Sequence, residues 1–253
     1  MLQTNKLKAA LSEGRVVRGL LSSLPLPLIV EMIGYAGYDF VILDTEHASV
    51  NPQTLEDMIR AAECAGITPL VRVPSALPDV ILRALDAGAQ GIVVPHVRNR
   101  TEVERAVAAC RYHPLGERGI SGGRTTGFGT IDLVSYFARA NREILVVPMI
   151  EDREAVEQID TIVSVSGIDM VLEGAIDLSQ SYGVPGQAQN ADVQHALRQI
   201  AAACQRHRVP FCAVPRVPGQ FERWRGEGVQ AFLLGDDRGV SFRALKENVA
   251  RFA

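Results

Sequence analysis

Short apolar runs rich in Val, Ile and Leu alternate along this chain with longer stretches of helical periodicity. Such alternation marks βαβ units built around a parallel sheet. Eight runs fit strands: Val16–Leu21, Phe40–Leu43, Thr68–Val73, Gly91–Val94, Ile144–Ile150, Ile168–Leu172, Pro210–Val214 and Ala231–Leu234. Between them the spacing predicts helices that include Pro25–Ala36, Pro52–Ala65, Thr101–Cys110, Glu154–Ile159, Ala191–His207, Phe221–Glu227 and Ser241–Arg251. The strand runs are continuous rather than in–out, as expected of strands covered on both faces. Eight units in 253 residues leave about 32 residues each, the size of one βα unit. The expected fold is therefore a (β/α)8 TIM barrel in one domain, residues 1–253. A doubly wound open sheet is the alternative, but its usual phosphate-binding GxGxxG does not follow the first strand.

In a barrel the chemistry sits where strands end, so the residues closing each run are the candidates. The second run is followed by Asp44-Thr45-Glu46-His47 and the third ends at Arg72. The fourth leads to Pro95-His96, the fifth to Met149-Ile150-Glu151 and the sixth to Glu173-Gly174-Ala175-Ile176-Asp177. Pro215-Arg216 and Gly235-Asp236-Asp237-Arg238 close the last two. Glu151 and Asp177, at the ends of neighbouring strands, suit a hard divalent cation such as Mg or Mn, with room for waters and a bidentate substrate. They suit helix capping or ion pairing equally well. His47 lies among carboxylates, where an imidazole can move protons near neutral pH. Arg72 closes a very apolar run and needs a carboxylate partner there, from the substrate or from the protein. Asp86 either reaches the mouth to orient His47 or simply ends its helix. Tyr112–Thr130 is a long glycine-rich irregular stretch, and its Arg124 can take a substrate carboxylate or a CoA phosphate, or stay solvated.

Composition narrows the classes. Hydrophobic residues make up 47% and charged residues 22%, enough for a sizeable core. A net charge of −3 offers no footprint for nucleic acid or an anionic membrane. Neither a secretion signal nor a membrane-length apolar run is visible, so a soluble, cytoplasmic protein is expected. Cys64, Cys110, Cys204 and Cys212 show no CxxC spacing and are expected to be structural thiols.

Taken together, Gly37-Tyr38-Asp39-Phe40 leading to Asp44-Thr45-Glu46-His47, then Val71-Arg72-Val73, Asp86-Ala87-Gly88-Ala89-Gln90, Arg111-Tyr112-His113-Pro114-Leu115-Gly116-Glu117-Arg118-Gly119, Ile150-Glu151 and Asp177-Leu178-Ser179 resemble the class II 2-oxo acid aldolases. These include the 4-hydroxy-2-oxoheptanedioate and 2-dehydro-3-deoxyglucarate aldolases. The resemblance spans nearly the whole chain. It implies that Glu151 and Asp177 hold a divalent metal that chelates pyruvate and that Arg72 contacts the substrate oxygens. It further implies a proton-transfer dyad of His47 and Asp86, and a last helix packed on a partner subunit, giving a homo-oligomer, dimer or hexamer. This chain departs from the aldolase pattern at Met149, where the aldolases carry Gln. It has Gly174-Ala175-Ile176-Asp177, preceded by Glu173, where they carry Gly-Pro-Ala-Asp. Those changes are similar to the siderophore-cluster citrate synthase branch of staphyloferrin B type, which joins oxaloacetate to acetyl-CoA. Citrate formation is thus the leading expectation, with Asp44, His47, Arg72 and Asp86 in the catalytic set and Arg124, Met149, Glu173, Gly174, Ala175 and Ile176 around the substrate. Cleavage of a 2-oxo-4-hydroxy acid to pyruvate and an aldehyde is the second, and a barrel that only binds a metabolite the third.

Overall fold

A computed structural model describes residues 2–252. Eight strands, β1 (Val17–Ser22), β2 (Phe40–Asp44), β3 (Thr68–Arg72), β4 (Gly91–Val94), β5 (Leu145–Ile150), β6 (Val171–Glu173), β7 (Phe211–Ala213) and β8 (Ala231–Asp236), pair in parallel in sequence order. Val17 and Gly19 of β1 register with Ala231 and Leu233 of β8, which closes the barrel. The helices are α1 (Lys6–Ser12), α2 (Pro27–Tyr35), α3 (Pro52–Ala65), α4 (Pro78–Ala87), α5 (Arg100–Cys110), α6 (Leu133–Glu143), α7 (Arg153–Glu157), α8 (Ile159–Val163), α9 (Ala175–Ser181), α10 (Ala191–His207), α11 (Gln220–Gly226) and α12 (Asp237–Ala250).

Local chemistry sets many of the helix ends. Asn51 accepts the Thr54 N–H at 2.9 Å and Pro52 opens α3, while Gly66 ends it at φ 77°, a left-handed angle that glycine adopts without strain. Asn99, Asp132 and Asp236 cap α5, α6 and α12 in the same way. The expected strand Ile168–Leu172 begins later, at Val171; ahead of it Asp169 donates its N–H to the Val146 carbonyl at 3.0 Å and turns its carboxylate to basic side chains. It accepts from Arg111 at 2.9 Å and pairs with Lys8 at 2.7 Å. The expected helix Glu154–Ile159 is two short helices that meet at Gln158.

Period-two alternation sorts each strand into an axial and an outer set. Phe40, Ile42, Leu70, Val93, Leu145, Val147, Met149, Leu172 and Leu233 form one core along the axis. Val41, Leu43, Val71, Ile92, Val146 and Ile150 join the second core, under the helices. Leu7, Ala10 and Leu11 of α1 pack into the axial core, and Asn5 ties α1 down by donating to the carbonyls of Gln90 and Glu143 at 2.9 and 2.8 Å. The N-terminal end of the barrel is thereby plugged, which leaves the opposite end for ligands. No helix among the described residues is long and apolar enough to cross a membrane. Cys110, Cys204 and Cys212 are buried, as expected of structural thiols, whereas Cys64 is exposed on α3.

A Cβ on Gly19 would lie 2.2 Å from the Phe40 ring inside the barrel. Gly19→Ala is expected to destabilise the fold by about 1–3 kcal/mol, checked as a lower Tm in thermal unfolding.

Candidate active site

The alternation that buries Phe40 and Ile42 on the axis puts Asp44 there too, and likewise Arg72 after Leu70 and Glu151 after Met149. Asp44 and Arg72 meet as a fork: Arg72 Nε donates to Asp44 Oδ1 at 2.9 Å and Nη2 to Oδ2 at 2.8 Å. Asp44 is fully buried and also accepts the N–H groups of Glu46 and His47. Burial alone would push its carboxyl up, but Arg72 outweighs it and holds Asp44 below the ordinary carboxylate value. Nη1 of Arg72 has no hydrogen-bond partner among the described residues, and Arg72 lines a cavity of about 600 Å³ at the C-terminal mouth. Asp44 is thus a support, and Arg72 is the group presented.

Met149, Glu173, Gly174, Ile176 and Asp177 share that cavity with Arg72, together with Pro215, Arg216, Asp236 and Arg243. Glu151 is buried behind Gly174, where a Cβ would stand 2.4 Å from Glu151 Oε2 and 2.8 Å from Met149 Cε, so only glycine leaves this space open. Burial, with Asp177 and Glu46 nearby, pushes the Glu151 carboxyl up to about 7 against the opposing pull of His96. His96, at φ 50°, donates its backbone N–H to Glu151 Oε1 at 2.8 Å. Its ring faces Asp152, Glu151 and Glu46 at 3.2, 3.8 and 3.9 Å. Burial would lower the His96 pKa, but these carboxylates together raise it.

Several sequence-predicted residues stand elsewhere. Asp86 accepts from Arg118 at 2.8 Å and makes no hydrogen bond to His47. Arg118 is buried there over the Tyr112 ring and demands a carboxylate partner. His47 is largely exposed at the rim, with Nε2 3.7 Å from Glu46. Arg124 turns toward α3, where it pairs with Glu63 and donates to the Ala87 carbonyl, because the short helix Arg124–Thr126 packs on α4 rather than over the mouth. Glu173 reaches the cavity with both oxygens already engaged, by Arg216 and by the N–H groups of Val214 and Ala175. Ala175 is fully buried. Arg216, a strand-end candidate with no role assigned from the sequence, and Arg243, not a candidate at all, both belong to the site. Arg216 closes a strand run, a signal that was available, but Arg243 lies inside a helix, where nothing marks it.

Residues 19–243 match the HpcH/HpaI aldolase/citrate lyase family. The 5-keto-4-deoxy-D-glucarate aldolase of Shigella sonnei is 36% identical over 247 residues, 97% of this chain and 95% of its own length. The chain belongs to this aldolase family. Among solved structures, citrate synthase SbnG superposes with a TM-score of 0.90 at 43% identity, over 97% of this chain and 96% of that one. An HpcH/HpaI aldolase from Desulfitobacterium hafniense gives 0.92 at 31% identity, over 98% and 97%. Membership makes the chain an enzyme of small-molecule substrates.

Because Asp44 titrates lower in the folded chain than in the unfolded one, its stabilisation is complete above the unfolded value of about 4 and is lost as pH falls through the folded value. Asp44→Asn should cost about 3–5 kcal/mol near neutral pH by stranding Arg72. Urea unfolding at decreasing pH should show the gap from wild type narrowing once pH drops below about 4.

Proposed function

We propose that this enzyme makes carbon–carbon bonds by an aldol-type addition, condensing oxaloacetate with acetyl-CoA to give citrate and free CoA. The observation that carries this reading is the buried, pre-aligned Arg72, which offers an unpaired N–H at the mouth of a cavity in a chain 43% identical to a citrate synthase. An oxaloacetate carbonyl held against Arg72 gains a fixed positive partner for the oxyanion that forms during addition. A base takes a proton from the acetyl methyl group, the resulting enolate attacks the carbonyl carbon, and water then cleaves the thioester. His47 at the rim, and Glu151 and Asp177 deeper in, are the groups available to move those protons.

Glu151 and Asp177 also fit a divalent cation such as Mg or Mn, since the two carboxylates are close enough to repel and Gly174 keeps the space in front of Glu151 open. Such an ion, when bound, supplies Lewis-acid polarisation of a 2-oxo acid. Cleavage of a 2-oxo-4-hydroxy acid to pyruvate and an aldehyde is the second reading. It is favoured by the 36% identity to the Shigella sonnei aldolase. Assembly into a homo-oligomer accounts for the surface of α12, where Phe242, Leu245 and Val249 stand exposed, and for exposed Leu28, Met32 and Tyr35 on α2.

Purified protein given oxaloacetate and acetyl-CoA should release CoA thiol and form citrate. Pyruvate release from a 2-oxo-4-hydroxy acid, with no citrate, would overturn the first reading. Arg72→Ala should lower kcat/KM by about 100-fold or more. Activity that survives exhaustive chelation would assign Glu151 and Asp177 to direct proton transfer and orientation. Phe242→Glu with Leu245→Glu should shift sedimentation toward a smaller species.

A further inference from the structure

The cavity holds a second arginine on the side away from Arg72, and its geometry differs from that of the first. Arg72 uses two nitrogens of its fork on Asp44. Arg216 concentrates its contacts on one. Its Nη1 donates to Glu173 Oε1 at 2.9 Å, to Oε2 at 3.0 Å and to the Val214 carbonyl at 2.8 Å. The structure gives Nε and Nη2 no hydrogen-bond partner, and neither is among the sealed polar atoms, so both are reachable in a side chain that lines the cavity. An arginine that merely neutralised Glu173 would present its fork to that carboxylate, the pairing that gives the strongest contact.

Glu173 is built to hold Arg216 in this pose. It is 1% exposed, and the N–H groups of Val214 and Ala175 fix its two oxygens at 2.9 and 3.0 Å. The Arg216 backbone is anchored as well, since its N–H donates to Gln220 Oε1 at 2.7 Å. Beside it, Arg243 of α12 lines the same cavity and makes no ion pair among the described residues. Asp236, which lines the same cavity, caps α12 by accepting the Gly239 N–H on Oδ1 at 2.9 Å. One wall of the cavity thus offers Arg216 Nε and Nη2 and the Arg243 guanidinium, none of them hydrogen-bonded or ion-paired to a protein carboxylate among the described residues.

We propose that Arg216, set by Glu173 and assisted by Arg243, is a second anion subsite that recognises the distal carboxylate of a 2-oxo dicarboxylate, while Arg72 takes the 2-oxo end. The proposal rests on the reading of the mouth as an oxaloacetate site and adds the residues that select a dicarboxylate over a monocarboxylate. Substrates with one carboxylate would leave this wall unfilled.

Oxaloacetate and pyruvate differ by a single carboxylate, so calorimetric titration of the full chain with each tests the subsite directly. Arg216→Lys keeps the charge beside Glu173 but loses the free donors. It should weaken oxaloacetate binding at least about tenfold and pyruvate binding less than about twofold. Arg243→Gln, at an exposed position, should weaken oxaloacetate selectively by a smaller factor. It carries the test if Arg216→Lys fails to fold. Equal weakening of both acids by Arg216→Lys, or unchanged oxaloacetate affinity in Arg243→Gln, would overturn the proposal. A wild type that binds oxaloacetate through Arg216 yet forms no citrate removes the reaction assigned above and keeps the subsite. Citrate formation with an unchanged oxaloacetate KM in Arg216→Lys does the reverse.

Discussion

Closing eight parallel strands on themselves is the constraint from which the rest of this molecule follows. Closure leaves every strand one axial and one outer face, and side chains must alternate between them. With α1 filling the N-terminal end, the axial positions become apolar core below and a polar cluster above. Asp44, Arg72 and Glu151 meet at the mouth because each continues the axial series of its own strand past the last apolar residue.

Charge at that mouth is organised in layers. A buried carboxylate stands behind two of the three cavity arginines: Asp44 behind Arg72, Glu173 behind Arg216. Removing either acid would leave a guanidinium desolvated and mobile, so the acids act through the arginines. Glu151 differs, having a backbone N–H rather than an arginine as its close partner, and burial pushes its carboxyl up. One barrel end therefore holds fixed cations beside a carboxyl poised to gain or lose a proton.

The aldolase and citrate synthase relatives share this framework, and what separates members of such a family is the lining of the cavity. Here Met149 and Ile176 make part of that lining apolar, Gly174 opens space in front of Glu151, and Arg216, held by Glu173, turns spare N–H donors to the far wall.

The sequence alone pointed to the barrel, because eight continuous apolar runs alternating with helical stretches have few other ways to be buried, and it placed the polar residues at strand ends within a residue or two. It also determined that Arg72 needs an anion, since no apolar run tolerates an unpaired guanidinium. Which anion was a tertiary matter: Asp44 lies 28 residues away, and only strand register brings the two into a fork. The same holds for Asp86, claimed by Arg118, and for Arg124, claimed by Glu63, both of which sequence position had offered to the mouth. Arg216 and Arg243 show the converse. Nothing local distinguishes a binding arginine from a solvated one, and only the closed barrel decided which guanidinium groups keep donors to spare.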